Sequence, residues 1–178
     1  MYFLALAASG YLAYLTWGTY WTIFWFWVYG TIYSFSGAYD HESRHRTLFK
    51  QRWLNEIFQY IFSFMTNFEP VRWRWTHTLH HSYTLHTKEP LDFEIQVDRP
   101  SKLFQYFVSF IPFGPILCIP QSYLAETFKN SLGIMTPVLD DCVPNEHQWK
   151  VFLSSRIHMF IFLSIILISL SFNPLLPF

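Results

Sequence analysis

Asp40-His41-Glu42-Ser43-Arg44-His45, followed after an apolar interlude by His77-Thr78-Leu79-His80-His81, carries the chemistry from which the rest of the chain can be read. Six of the eight histidines lie between Asp40 and Pro90. Residues three and four apart share one face of a helix, so His41 and His45 point together and His77, His80 and His81 form a second patch. A lone pair at this spacing is ordinary. A pair joined to a triad at the first, fourth and fifth positions is hard to explain by packing and points to metal. Imidazole suits zinc, copper, iron and nickel alike, so ligand type does not choose the ion. Five imidazoles exceed the three protein ligands of a single catalytic zinc, which argues for two ions.

Composition says where these patches sit. The chain is 52% hydrophobic and 22% aromatic but only 13% charged, about half the charge content of an ordinary soluble domain. The formal net charge of zero hides an asymmetry: residues 1–39 and 157–178 contain no Asp, Glu, Lys or Arg. Every Lys and Arg, from Arg44 to Arg156, shares the central segment with the histidines, and an excess of basic residues marks the cytoplasmic side of a membrane protein. The expected fold is therefore all-α: a multipass helical membrane protein, one domain over residues 1–178, with its histidine helices facing the cytoplasm. Cys118 and Cys142 lack metal-ligand spacing, and a cytoplasmic setting argues against a disulfide.

The uncharged opening run is nearly twice what one bilayer crossing needs, so a hairpin is expected, with Tyr2–Thr16 and Tyr20–Phe35 as its helices and the break at Trp17-Gly18-Thr19. Leu54, Ile57, Phe58, Ile61 and Met65 then recur at helical spacing with Asn55, Glu56, Gln59 and Ser63 between them. That pattern predicts an amphipathic helix along the interface, ended by Asn67-Phe68-Glu69-Pro70. Val71 to Trp75, with two arginines and two tryptophans, suits the headgroup boundary. Residues 83–100, with Glu89, Asp92, Glu94 and Asp98, read as a solvated loop whose acids make a wet surface. Prolines 112, 115 and 120 break the apolar region from Leu103 to Ile119, which is expected to dip into the interface. Residues 121–150 return to the cytoplasmic surface, and Ile157–Phe172 begins a further crossing that stops at Asn173-Pro174. No nucleic-acid patch or phosphate loop is present in the sequence.

The two patches resemble the histidine boxes of the membrane-bound fatty acid desaturases and related hydroxylases. His41 and His45 match the family's H-x-x-x-H box after a membrane hairpin, and His77, His80 and His81 match its H-x-x-H-H box. His86-Thr87-Lys88-Glu89-Pro90 is a loose version of the acidic residue and proline that often follow. The resemblance implies two iron ions held by His41, His45, His77, His80 and His81, with O2 as co-substrate. It also implies a lipid acyl chain as substrate and an electron donor of the cytochrome b5 or ferredoxin type. His86 is expected at the surface or behind the ligands. Iron is apt, because an unactivated methylene yields neither to acid–base groups nor to a Lewis acid, and the cofactor carries such chemistry.

The family's third box, another H-x-x-H-H, has no match; His147 and His158 stand apart from each other. The sequence therefore resembles the front portion of a desaturase, and an inactive relative is one alternative reading. The other is a membrane-embedded zinc protease, since His41-Glu42-Ser43-Arg44-His45 also satisfies H-E-x-x-H, with two histidines on zinc and the glutamate activating water. Arg44 beside a zinc ion and the unexplained triad speak against it.

Overall fold

The computed structural model describes residues 1–88, 92–94, 102–109, 111–120 and 122–172. Among them the regular structure is entirely helical, as the sequence predicts, and the chain divides into two compact units, Met1–Thr66 and Asn67–Phe178.

The first unit begins with the expected hairpin. Helix α1 (Tyr2–Leu15) and helix α2 (Tyr20–Arg44) are joined through Gly18, whose φ of 81° lies in the left-handed region that glycine enters without steric cost. Their inner faces meet where Tyr2 lies edge-on to Tyr39 at 4.9 Å, and Phe62, from the helix that follows, stacks on Phe3 at 5.6 Å and on Tyr39 at 5.3 Å. Helix α2 does not stop at Phe35 but runs on to Arg44, so the first histidine pair rides on its last turn. Nothing in Ser36–Arg44 breaks a helix, and Asp40, turned inward, finds a partner in Ser63 of the next one.

That next helix, α3 (Arg52–Met65), is amphipathic in the sense opposite to the usual one. Its polar residues Asn55, Gln59 and Ser63 are fully buried, while Trp53, Ile57 and Tyr60 are at least 49% exposed. The buried polar stripe packs where α2 presents Asp40 and Arg44, and Ser63 Oγ donates to Asp40 Oδ1 at 2.6 Å. Tyr33 donates to the Met65 carbonyl at 2.7 Å, satisfying an end group that α3 itself cannot. An apolar face turned outward beside a polar face turned inward is the arrangement a lipid-facing helix needs, because only the inner polar groups have protein partners.

The second unit opens with α4 (Pro70–Tyr83), the helix of the histidine triad. Its start is over-determined. Proline occupies the first position, and the Glu69 carboxylate caps the turn by accepting from Val71 N at 3.0 Å and Arg72 N at 2.6 Å. The segment Val71–Trp75 is thus part of this helix, and Arg72 is no headgroup-level residue, being 1% exposed. Its Nη1 donates to Asn130 Oδ1 at 3.2 Å and lies 3.8 Å from Glu126 Oε2, while Nη2 donates to the Tyr123 carbonyl at 3.3 Å. Burial is tolerated because both Nη nitrogens gain an acceptor and a carboxylate lies beside the charge.

Those acceptors belong to α7 (Tyr123–Ser131), reached through two short helices, α5 (Leu103–Val108) and α6 (Gly114–Cys118). The α5–α6 corner requires glycine: a Cβ at Gly114 would fall 1.8 Å from the Val108 carbonyl oxygen. Outward residues Leu103, Phe104 and Leu117 are more than 70% exposed, in keeping with the proline-broken apolar stretch. Helix α8 (Pro137–Cys142) supplies the centre of a small apolar core of Leu139, Cys142, Val143 and Val151, against which Trp75, Leu79 and Phe93 pack.

The chain then enters α9 (Asn145–Phe172), twelve residues earlier than expected; its 28 residues give about 42 Å of length. Its first part packs inward through Val151, Ser155 and His158, whereas no described residue after Met159 is buried. Among the described residues it is the one helix both long and apolar enough to cross a bilayer. Helix α1 is apolar but only 14 residues long. The expected end of this crossing at Asn173-Pro174 lies outside the described residues.

Candidate metal centre

Helix α4 brings His77, His80 and His81 together as the spacing predicts. The rings of His77 and His81 stand edge to face, 4.6 Å between centroids at 83°, and their Nε2 atoms approach to 3.1 Å. The outer nitrogens of His77 and His80 are held from behind: His77 Nδ1 donates to Glu94 Oε1 and His80 Nδ1 to Asp92 Oδ2, each at 2.9 Å. An ionised carboxylate only accepts, so each of these rings carries its proton on Nδ1 and turns the lone pair of Nε2 away from the acid. Two lone-pair nitrogens about 2.1 Å from one ion and at right angles to each other lie about 3 Å apart, the separation of His77 and His81. The donor set fits a divalent transition-metal ion.

The acids that do this are not the wet surface expected from sequence. Asp92 is completely buried and the Glu94 side chain is 14% exposed. After α4 the chain folds back. Leu85, at φ 64° where a leucine is strained, directs its N–H to Asp92 Oδ2 at 2.9 Å; Glu94 N donates to Oδ1 at 3.1 Å, and Asp92 N donates to the His86 carbonyl at 3.0 Å. Burial pushes the Asp92 carboxyl upward, but the Leu85 N–H, His80 and the Glu94 N–H outweigh it and hold the group below its ordinary range. Glu89 and Asp98, named with these acids, lie outside the described residues. The sequence signal that could have found Asp92 and Glu94 is their position just after the triad, at a spacing of two, which lets a returning loop present both to one helix face.

The first pair sits on the last turn of α2. His41 and His45 have ring centroids 4.6 Å apart, the same separation as His77 and His81, and both are exposed. Glu42 lies with Oε1 3.4 Å from His41 Nδ1, and its other oxygen accepts from the Thr47 hydroxyl at 2.6 Å. The Thr47 hydroxyl, and then His41, lower the Glu42 carboxyl below its usual range. Three of the five histidines thus have a carboxylate at Nδ1. Glu42 is engaged by Thr47 and by its neighbour's ring, not held free to activate a water as a zinc-protease glutamate is.

The remaining histidines lie elsewhere. His86 is exposed with its ring near Tyr83, as expected. His147 stacks on Trp75 at 5.6 Å, on the far side of α4 from the triad, and His158 is buried in the inward part of α9.

The family model for fatty acid desaturases matches residues 15–177. The chain belongs to that family. No curated protein and no solved structure matches it. Membership of that family implies lipid oxidation of the desaturase or hydroxylase type, an oxidoreductase chemistry. The two helix-spaced histidine pairs are His41 with His45 and His77 with His81.

Proposed function

We propose that this protein carries out oxygen-dependent desaturation, or hydroxylation, of a lipid acyl chain at a two-iron centre held by His41, His45, His77, His80 and His81. The observation that carries the reading is the back-bonded triad. Carboxylates fixed on His77 and His80 set which nitrogen faces the metal, and the converging Nε2 atoms of His77 and His81 have the separation of two ligands on one ion.

Iron bound there supplies the reduction of O2 and the oxidising power that an aliphatic C–H bond demands, with electrons from a donor of the cytochrome b5 or ferredoxin type. The chain's own residues have three tasks. The histidines would hold the iron, His77 and His80 through Nε2 because a carboxylate engages Nδ1; Asp92, Glu94 and Glu42 fix ring orientation; and the apolar exteriors of α1, α2 and α9 keep the protein in the bilayer from which an acyl chain is delivered. The proposal treats residues 1–178 as one desaturase domain, multipass, with both histidine boxes on the cytoplasmic side.

The test is iron analysis and lipid profiling together. The protein expressed in a host with defined acyl chains is expected to hold iron and to yield unsaturated or hydroxylated acyl products detectable by mass spectrometry. Replacing His77, His80 and His81 by alanine should abolish both. Retention of zinc in place of iron, with no change in acyl products, sinks the reading.

A further inference from the structure

The first histidine pair is interleaved with a second pair of opposite character. Asp40 and Arg44 precede His41 and His45 by one residue each, so α2 carries two four-residue pairs turned about 100° from each other. The histidines face outward, whereas the Asp40 and Arg44 side chains are 1% and 2% exposed. Arg44 Nη2 donates to Asp40 Oδ2, and Ser63 Oγ, the last residue of the buried polar stripe of α3, donates to Asp40 Oδ1 at 2.6 Å. Below this point Arg46 Nε donates to Glu56 Oε1 at 3.0 Å, and the Asn55 amide is bonded to both the N–H and the carbonyl of Phe49, at 3.0 Å and 2.7 Å.

Holding two helices together does not call for such an arrangement. A buried ion pair contributes little more than apolar residues of the same volume, and its desolvation is costly. What it adds is direction. Apolar side chains let a helix roll by tens of degrees with small loss, but a carboxylate shared between a guanidinium on its own helix and a hydroxyl on the next has one orientation. A ring nitrogen stands roughly 6–7 Å from the helix axis, so a roll of about 20° displaces it by about 2 Å, a whole metal–nitrogen bond length. The rotation of the last turn of α2 therefore decides whether His41 and His45 reach an ion.

We propose that Asp40, paired with Arg44 and bonded by Ser63, is a positioning residue for the first histidine box, fixing the roll of the end of α2 against α3 so that both imidazoles meet one metal ion. The inference rests on the reading that His41 and His45 bind iron. It extends the functional motif inward by two residues and across to α3, to include Ser63, which no histidine pattern reveals.

The experiment is iron release to a chelator from the purified detergent-solubilised protein, followed optically, beside the Tm of each variant. Ser63→Ala removes one hydroxyl, and Asp40→Asn keeps the shape of the side chain but removes its charge. Both are expected to release iron about ten- to a hundredfold faster than the parent, as loss of groups behind metal ligands does, with Ser63→Thr restoring the parent rate. Ser36→Ala, on the same buried face of α2, serves as the control for stability alone. The proposal is overturned if Ser63→Ala and Asp40→Asn release iron at the parent rate, or if the rates of all three variants simply follow their Tm values. His41→Ala separates this from the underlying reading. If that variant keeps its iron, the histidine assignment itself is wrong; if it loses iron while Ser63→Ala and Asp40→Asn behave as the parent, only the positioning role fails.

Discussion

Asp92 accepts the Nδ1–H of His80 at 2.9 Å, while its other oxygen accepts from Glu94 N at 3.1 Å and its own N–H donates to the His86 carbonyl at 3.0 Å in the loop that follows α4. One buried carboxylate thus does two things: it fixes the outward nitrogen of His80, and it holds Leu85 in a left-handed conformation through the N–H donated at 2.9 Å. Structure and site are coupled at this residue.

Asp92→Asn is expected to weaken iron binding by about ten- to a hundredfold, because an uncharged amide holds the Nδ1 proton less firmly and raises the basicity of Nε2 less than a carboxylate does. The variant should also melt earlier, since an amide keeps one acceptor oxygen and its nitrogen leaves either the Leu85 or the Glu94 N–H without its acceptor. His86→Ala, on an exposed ring outside the triad, is the matched control and should keep its iron. Metal content after dialysis against a graded chelator series decides the matter; parent-like affinity in Asp92→Asn would remove the orienting role.

The ring spacings, the hairpin and the triad were all legible from sequence, because helical periodicity acts over three or four residues and needs no tertiary information. What was not legible depends on which face of an element meets another. Asn55, Gln59 and Ser63 alternate with apolar residues as a wet face does, and only the presence of Asp40 and Arg44 on α2 reveals that the polar stripe is the inner one. Arg72 failed in the same way. Its neighbours Trp73 and Trp75 imply a headgroup boundary, but its partners Tyr123, Asn130 and Glu126 lie more than fifty residues later. Asp92 and Glu94 read as surface acids in the sequence because a returning loop has no period to betray it.

Asn55→Leu follows from the inverted α3. By pattern alone, a leucine at this position extends an apolar helix and should be harmless. In the structure the amide accepts from Phe49 N at 3.0 Å and donates to the carbonyls of Phe49 and Gln51, so leucine leaves all three without that partner. A cost of about 1–3 kcal/mol for stranding a buried backbone group is expected, read as a lowered Tm. An unchanged or raised Tm would show that the polar stripe is not the inner face.

The two cysteines should differ sharply toward alkylating reagents. Cys142 lies in the core with Leu139 and Val151, and burial first, then the Asp141 charge, push its thiol up to about 12. The thiolate is the reactive form, so at neutral or mildly alkaline pH Cys142 is expected to stay unmodified in the folded protein. Cys118 is only partly buried. Mass spectrometry after iodoacetamide treatment should find label at Cys118 alone, and at both residues after unfolding.

The buried cap of α4 makes the stability of the fold depend on pH. Glu69 is fully enclosed, and burial raises its carboxyl above the ordinary value of 4.5 despite the opposing bonds from Ser154 and the Arg72 N–H and the charge of Arg72. The native state therefore holds this proton more tightly than the unfolded chain does. The associated stability is fully present below 4.5 and is lost as pH rises through the raised native value. Glu69→Gln has no such titration. Its amide changes the bonds to Val71 N and Arg72 N, but by an amount that does not vary with pH. All other titrating groups are common to both proteins, so they cancel in a comparison. The Tm of the parent minus that of Glu69→Gln should consequently fall as pH is raised from about 4 toward neutrality, whichever protein is the more stable at the start. A difference that rises over this range would mean that the Arg72 charge, not burial, governs Glu69, and that the cap enters the fold as an ionised pair.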